Sequence, residues 1–303
     1  MNAYKRRQFG FSLIEVLLAT GILGVGLILI AMVFPVGIKL TSVAAERTVG
    51  TIAANEAAAK VQLWGLPPFA DWTAAGPQNP TVFPHTQCTE YLNLLNQLYP
   101  APAKDLTWDE FLYPSITVPV GEEAQKYHWS ALCYGVSDQE VLLTVFVTRQ
   151  ITSGMKYYYQ KYVPAPVYDY TRGADGVWPS PVSVFLRYDS ATPNELMVLP
   201  ADGNQDWDLV PGQTRTVFGF FNDTATIIED RTGQLYRVQE YKDAVAPAGE
   251  KDTLVLTEPW QWPGYPNNPP AGTQILKFWV VPPGIGTGRN PVIDVTQTTI
   301  RME

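Results

Sequence analysis

Apolar and polar positions divide this chain into an unbroken hydrophobic start and a long alternating remainder. Across residues 11–34 the only polar side chains are Ser12, Glu15 and Thr20. Those 24 residues would make a helix about 36 Å long, enough to cross the hydrocarbon core of a bilayer. Past Pro35 the stretch VGIKLTSVAAERTVGTIAANEAAAKVQLWG is rich in alanine and sets Glu56 and Lys60 at i,i+4 spacing. The helix is therefore expected to reach Trp64, where GLPP stops it. Pro35 removes a backbone donor and Gly37 weakens the same turn, so a kink or local melting is expected there. Gly21, Gly24 and Gly26 leave room for a second helix to approach closely.

After the helix the periodicity changes. Residues 89–99, TEYLNLLNQLY, have helical apolar spacing and a Thr at their start. YHWSALCYGV and EVLLTVFVTRQ then read as an antiparallel hairpin, with Leu143, Val145 and Val147 alternating with Leu142, Thr144 and Phe146. A proline- and aromatic-rich stretch from Tyr157 reads as loop. Its six tyrosines and Trp178 offer either a sticky surface for a subunit, glycan or secreted protein or, the preferred reading, a cover for the core beneath. NELMVLP, RTVFGFF, ATIIED, QLYRVQEY, DTLVLTE and QILKFWVVPP follow as strands, and IIEDRTGQLYRV reads as a hairpin turning at Arg231, Thr232 and Gly233. The expected fold class is α+β: a long N-terminal helix, an antiparallel β-rich head, and an additional all-β module built as a small sandwich or open barrel. The divisions fall at residues 1–10, 11–64, 65–190 and 191–303.

Composition agrees with a turn-rich, aromatic β body: 26 Pro, 23 Gly, 16 Tyr, 12 Phe and 9 Trp. The formal charge of −8 becomes −11 once the three cations of residues 1–10 are removed, which disfavours nucleic acid as a partner. Cys88 and Cys133 show no CxxC spacing, and only His85 and His128 could join them in a metal site. The pair is either a disulfide, if the body lies outside the cytoplasm, or two free buried thiols.

Lys5, Arg6 and Arg7 precede the apolar run and hold its N-terminal end in the cytoplasm. A cleaved secretory signal is disfavoured, because the run is too long and AMVFPVGIKL follows it in place of a small-x-small cleavage site. A plain uncleaved anchor leaves Glu15 unexplained, since a carboxylate near the bilayer is costly without a partner or a function.

A basic leader ending in Gly10, then Phe11, then FSLIEVLLATGILGVG resembles the N-terminus of type IV pilins and type II secretion pseudopilins. The resemblance covers residues 5–40. It implies cleavage by a prepilin peptidase between Gly10 and Phe11 and methylation of the new Phe11 amine. It also implies that Glu15 neutralises the Phe11 amine of a neighbouring subunit during filament assembly. The alternative is a protonated Glu15 in a simple anchor. The implied function is structural: a minor or specialised subunit of a type IV pilus or type II secretion-type filament. Its implied partners are other pilin subunits, prepilin peptidase, an inner-membrane assembly platform and an assembly ATPase. Its implied location is the inner membrane as a single-pass protein, then a periplasmic or extracellular filament. Tip subunits of type II secretion with heads of this size typically lack the acid, so Glu15 speaks against that role. From another class, a membrane-anchored periplasmic binding module that does not polymerise also fits the anchor.

Asp202, Asn204, Asp206 and Asp208 alternate in DGNQDWD and could wrap calcium, a metal found in pseudopilin heads; a solvated acidic turn is the other reading. Trp207 stands where an EF-hand needs glycine and Gln213 where it needs a bidentate glutamate, so the loop is not an EF-hand. The sequence contains no P-loop, GxSxG elbow, HExxH or dinucleotide fingerprint, and the expectation is a protein that is not an enzyme and holds no other cofactor.

Overall fold

One helix carries the chain out of its apolar start. The computed structural model describes residues 12–66, 88–92, 94, 108–114, 127–137, 139–149, 158–162, 168–172, 178–198, 220–242, 253–261, 273–283 and 290–302. Helix α1 (Leu13–Trp64) passes through Pro35 without interruption, which corrects the expectation of local melting there. Ala31, Met32, Lys39 and Leu40 are good helix formers on either side of Pro35, and the Thr41 hydroxyl donates to the Gly37 carbonyl at 2.9 Å. The helix closes at Gly65, whose φ of 84° is the left-handed cap that glycine adopts without strain, with its N–H on the Val61 carbonyl at 2.9 Å. The chain divides into two units, residues 1–49 and 50–303. In the first, no described residue of the helix is buried.

In the second unit the helix residues Gly50, Ala53, Ala54, Ala57 and Val61 are buried against an antiparallel sheet. That sheet contains β1 (Thr89–Glu90), β2 (Leu112–Tyr113), β3 (Tyr127–Ser137), β4 (Glu140–Arg149) and β13 (Val292–Arg301), in the order β1-β3-β4-β13 with β2 also on β3. The expected hairpin is β3 with β4, in the register Leu132↔Thr144 and Cys133↔Leu143. Trp129, Ala131, Cys133, Val141, Leu143, Val145 and Val147 point to the helix. The intervening Leu132 and Phe146 point the other way. Small helix residues let the two backbones come close, and Gly50 sits nearest: a Cβ there would lie 2.7 Å from Asp294 Cβ. Lys60 fastens the same face. Its ammonium donates to the Glu110 carbonyl at 3.0 Å, pairs with Glu56 at 3.2 Å, and lies over the rings of Trp64 and Trp129.

The start of the expected short helix is a correction. Thr89 and Glu90 form a strand on the edge of β3, opposite Cys133 and Leu132; Tyr91, Leu92 and Leu94 are helical, and residues 95–99 lie outside the described residues. The Tyr-rich stretch expected as loop contains a two-stranded ribbon, β5 (Tyr158–Tyr162) with β6 (Tyr168–Arg172).

The remaining strands are β7 (Val182–Asp189), β8 (Glu195–Val198), β9 (Thr226–Glu229), β10 (Leu235–Lys242), β11 (Thr253–Leu256) and β12 (Thr273–Val280). They close into an antiparallel barrel of order β10-β11-β8-β7-β12-β9. Val182, Val184, Leu186 and Tyr188 alternate into its interior, joined by Leu254, Leu256, Phe278 and Val280. Of the expected RTVFGFF strand, Phe220 and Phe221 are not in a strand but pack into this interior, and residues 215–219 lie outside the described residues. Two expected boundaries shift. The barrel begins at β7, before residue 191, and β13 leaves it to pair with β4, because its apolar positions Ile293 and Ile300 fit the helix-facing core.

A third core joins the barrel to the sheet: Cys88, Leu132 and Phe146 against Ile228, Trp279 and Val281. Buried Asp230 anchors this seam. Its Oδ1 accepts from Trp279 Nε1 at 2.6 Å and lies 3.2 Å from Lys277 Nζ, and its carbonyl accepts the Cys88 N–H at 2.7 Å. Burial pushes its carboxyl above the ordinary carboxylate range, outweighing the attraction of Lys277.

Gly50→Ala is expected to lower head stability by about 1–3 kcal/mol, because the backbones must separate. Gly37→Ala, with open space around that position, should leave it unchanged in the same denaturant titrations. A raised carboxyl holds its proton in the folded state at a pH where the unfolded chain has released it, so the contribution of Asp230 grows as pH falls through its folded pKa. Paired titrations of the parent and Asp230→Asn from about pH 7 to about pH 4 should therefore show the difference moving in the parent's favour on acidification; a constant difference would contradict this.

Candidate functional site

Ser12 begins the amino-terminal helix. Its carbonyl accepts the Glu15 N–H at 3.0 Å and the Val16 N–H at 3.2 Å, and its hydroxyl lies 3.3 Å from the Glu15 N–H. Ser12 is thus the N-cap and Glu15 the third helical residue, the spacing at which a carboxylate also complements the helix dipole. The Thr20 hydroxyl turns inward to the Val16 and Leu17 carbonyls at 2.9 and 3.0 Å, so it asks nothing of its surroundings. The Glu15 carboxylate differs from both, having no side-chain partner among the described residues. Around it Leu13, Ile14, Val16, Leu17 and Leu18 are each more than half exposed.

The exposure continues along the helix. Ile22, Leu27, Ile28, Leu29, Ile30, Val33 and Phe34 stand out on every side, so the surface is not an amphipathic stripe seeking a core. It is the surface of a helix that is long and apolar enough to cross a membrane. Glu15 is the only charged residue before Lys39 in this stretch. Chemically, the arrangement can offer one acceptor for a cation in an apolar setting. Pro35 and Gly37 lie farther along the same continuous helix.

The other expected sites are resolved differently. Gly10, Phe11 and the acidic loop with Asp202, Asn204, Asp206 and Asp208 lie outside the described residues. Among the described residues no group of three or more His, Cys, Asp or Glu side chains could hold a metal ion. The disulfide alternative is corrected: Cys88 and Cys133 are free and buried. Thr89 is paired with Cys133 across β1 and β3, so its neighbour Cys88 points to the opposite face of the sheet. Cys133 lies in the helix-facing core and Cys88 in the seam with the barrel. Burial raises both thiols, and at Cys88 the nearby Asp230 and Glu229 add to the effect.

Two contributors escaped the sequence reading. The Ser12 cap carries a legible signal, a serine three residues before a glutamate at a helix start. Gly50 carries none, since its role depends on the approach of Asp294 from far along the chain.

Residues 5–31 match the protein family described as the prokaryotic N-terminal methylation motif, the signature of type IV pilins and pseudopilins. The match ends before Pro35 and does not reach the head. No curated protein and no solved structure matches the chain. Motif and apolar helix together describe a pilin-like, prepilin-processed protein anchored in a membrane of the cell envelope.

The thiols provide a test of this geometry. Neither cysteine should react with a soluble alkylating reagent before denaturation, and oxidation of the native protein should produce no intramolecular disulfide. Formation of a Cys88–Cys133 crosslink without unfolding would contradict the assigned faces.

Proposed function

We propose that this chain is a minor or specialised structural subunit of a type IV pilus or type II secretion-type filament. It enters the inner membrane through residues 11–34, is cut by prepilin peptidase between Gly10 and Phe11, and is methylated on Phe11. Assembly then draws it into a filament in the periplasm or outside the cell. Other pilin subunits are its neighbours, and a membrane platform and an assembly ATPase supply the work. The head displays no chemistry of its own in this reading; calcium at Asp202, Asn204, Asp206 and Asp208 remains a separate proposal about that loop.

One observation carries the reading: the methylation motif coincides with a lone carboxylate, Glu15, in the first turn of an exposed apolar helix. A charge in lipid is costly alone, and so is the ammonium that cleavage would create on Phe11. Held together between neighbouring subunits, each offsets the other's desolvation, and the pair fixes which helix docks where. A membrane-anchored binding module explains the span equally well but gives Glu15 no task.

Mass spectrometry of the N-terminus of protein from native membranes or sheared surface material tests the processing. The expected start is Phe11 carrying one extra methyl group; a start at Met1 would favour the binding module. Glu15→Ala should weaken incorporation by about 3 kcal/mol or more, roughly a hundredfold, while the melting of the head stays unchanged. Normal filament yield from that variant would overturn the pairing role.

A further inference from the structure

The connection between β4 and β13 returns to where it started. β4 ends at Arg149 and β13 begins at Val292, and Thr148 is paired with Val292 in the sheet. The Arg149 N–H donates to the Pro291 carbonyl at 2.9 Å. Residues 150–290 therefore leave the sheet and come back within one hydrogen bond of their departure. That interval holds the whole barrel and the β5–β6 ribbon.

The apolar cores sort the same way. Every residue of the helix-facing core belongs to the chain before residue 150 or after residue 290: Ala53, Tyr91, Trp129, Leu143 and Ile300 are examples. Every residue of the barrel core lies between Val182 and Val280. Of the three cores formed by the described residues only the seam mixes the two, with Cys88, Leu132 and Phe146 from one side and Ile228, Trp279 and Val281 from the other. Among the described residues its polar fastenings include Cys88 N–H to the Asp230 carbonyl at 2.7 Å, Cys88 Sγ to the Glu229 carbonyl at 3.7 Å, Gln297 Nε2 to the Gly233 carbonyl at 2.7 Å, and the Thr148 hydroxyl to the Pro179 carbonyl at 3.4 Å.

We infer that residues 150–290 are a guest module inserted into a self-sufficient frame, and that competence for assembly belongs to the frame alone. The frame comprises helix α1 with β1, β2, β3, β4 and β13. A module whose ends meet can be carried without disturbing the host fold, and a host with its own closed core keeps its pairing when the guest opens. The barrel is then the part that sets what the subunit presents, and it is dispensable for the subunit's place in a polymer. This last step rests on the filament reading above.

Native-state hydrogen exchange on the full-length, detergent-solubilised protein in rising denaturant tests the partition directly. Amides of β7 to β12 are expected to merge into one opening event, and those of β3, β4 and β13 into a second, separate event. A single opening event shared by both sets would overturn the inference.

The functional half uses the full chain carrying Leu186→Asp and Leu254→Asp together, two charges placed in the barrel interior. This variant should lose exchange protection across the barrel, keep it in β3 and β4, and still enter filaments at close to the parent's level. Leu143→Asp, in the frame core, should abolish entry. Loss of β3 and β4 protection in the barrel variant, or its exclusion from filaments that accept the parent, would overturn the inference. If the parent itself forms no filaments, the filament reading fails, while the exchange experiment still decides whether the module is a guest.

Discussion

A strand buried on both faces needs two apolar covers, and β4 has them. Val141, Leu143, Val145 and Val147 meet Ala53, Ala57 and Val61 of the helix. Phe146, on the other face, meets Trp279 and Ile228 of the barrel. The helix takes four of these side chains and the barrel one, and each methylene left in water forfeits about 0.8 kcal/mol, so the helix is the larger cover. The small residues of the helix follow from this constraint, since bulkier side chains would hold it away from the sheet. The placement of β13 follows too: it gives the edge of β4 a hydrogen-bonded neighbour along nine register pairs.

Nothing comparable happens in the first unit. There the helix covers no core, and its apolar side chains stay exposed on all sides. The same physics that buries Leu143 in protein requires another apolar medium for Leu13, Ile22 and Ile30. A bilayer is such a medium, and the helix is long enough to cross one. Glu15 is the exception, the one charged side chain on that surface before Lys39.

The helix, the β3–β4 hairpin and the β9–β10 hairpin were legible in the sequence because each is a local pattern: an apolar run, an alternation, a turn at Arg231, Thr232 and Gly233. So was the position of Glu15, since a lone acid stands out in an apolar run. Thr89 misled because two residues of strand are too short to have a period, and their pairing depends on the edge of β3. The cysteines misled because sequence gives their separation but not the face each occupies. The module boundary was drawn by proximity along the chain, whereas β13 is assigned by apolar positions that fit a core formed before residue 150. Barrel closure was similarly hidden, since it depends on β12 meeting both β7 and β9.

The pairing of β13 with β4 also imposes an order of events on the growing chain. Partners such as Val141 and Ile300 are more than 140 residues apart in sequence. Until β13 is made, β4 presents an open edge of backbone donors and acceptors, flanked by some of the most apolar strand sequence in the chain. Loop closure over such a distance is slow, and unpaired edges invite pairing with the wrong chain. That interval lasts until residues 292–301 have been made. The barrel does not share that delay: its closure is complete once β12 meets β7 and β9, pairings that need nothing beyond residue 280.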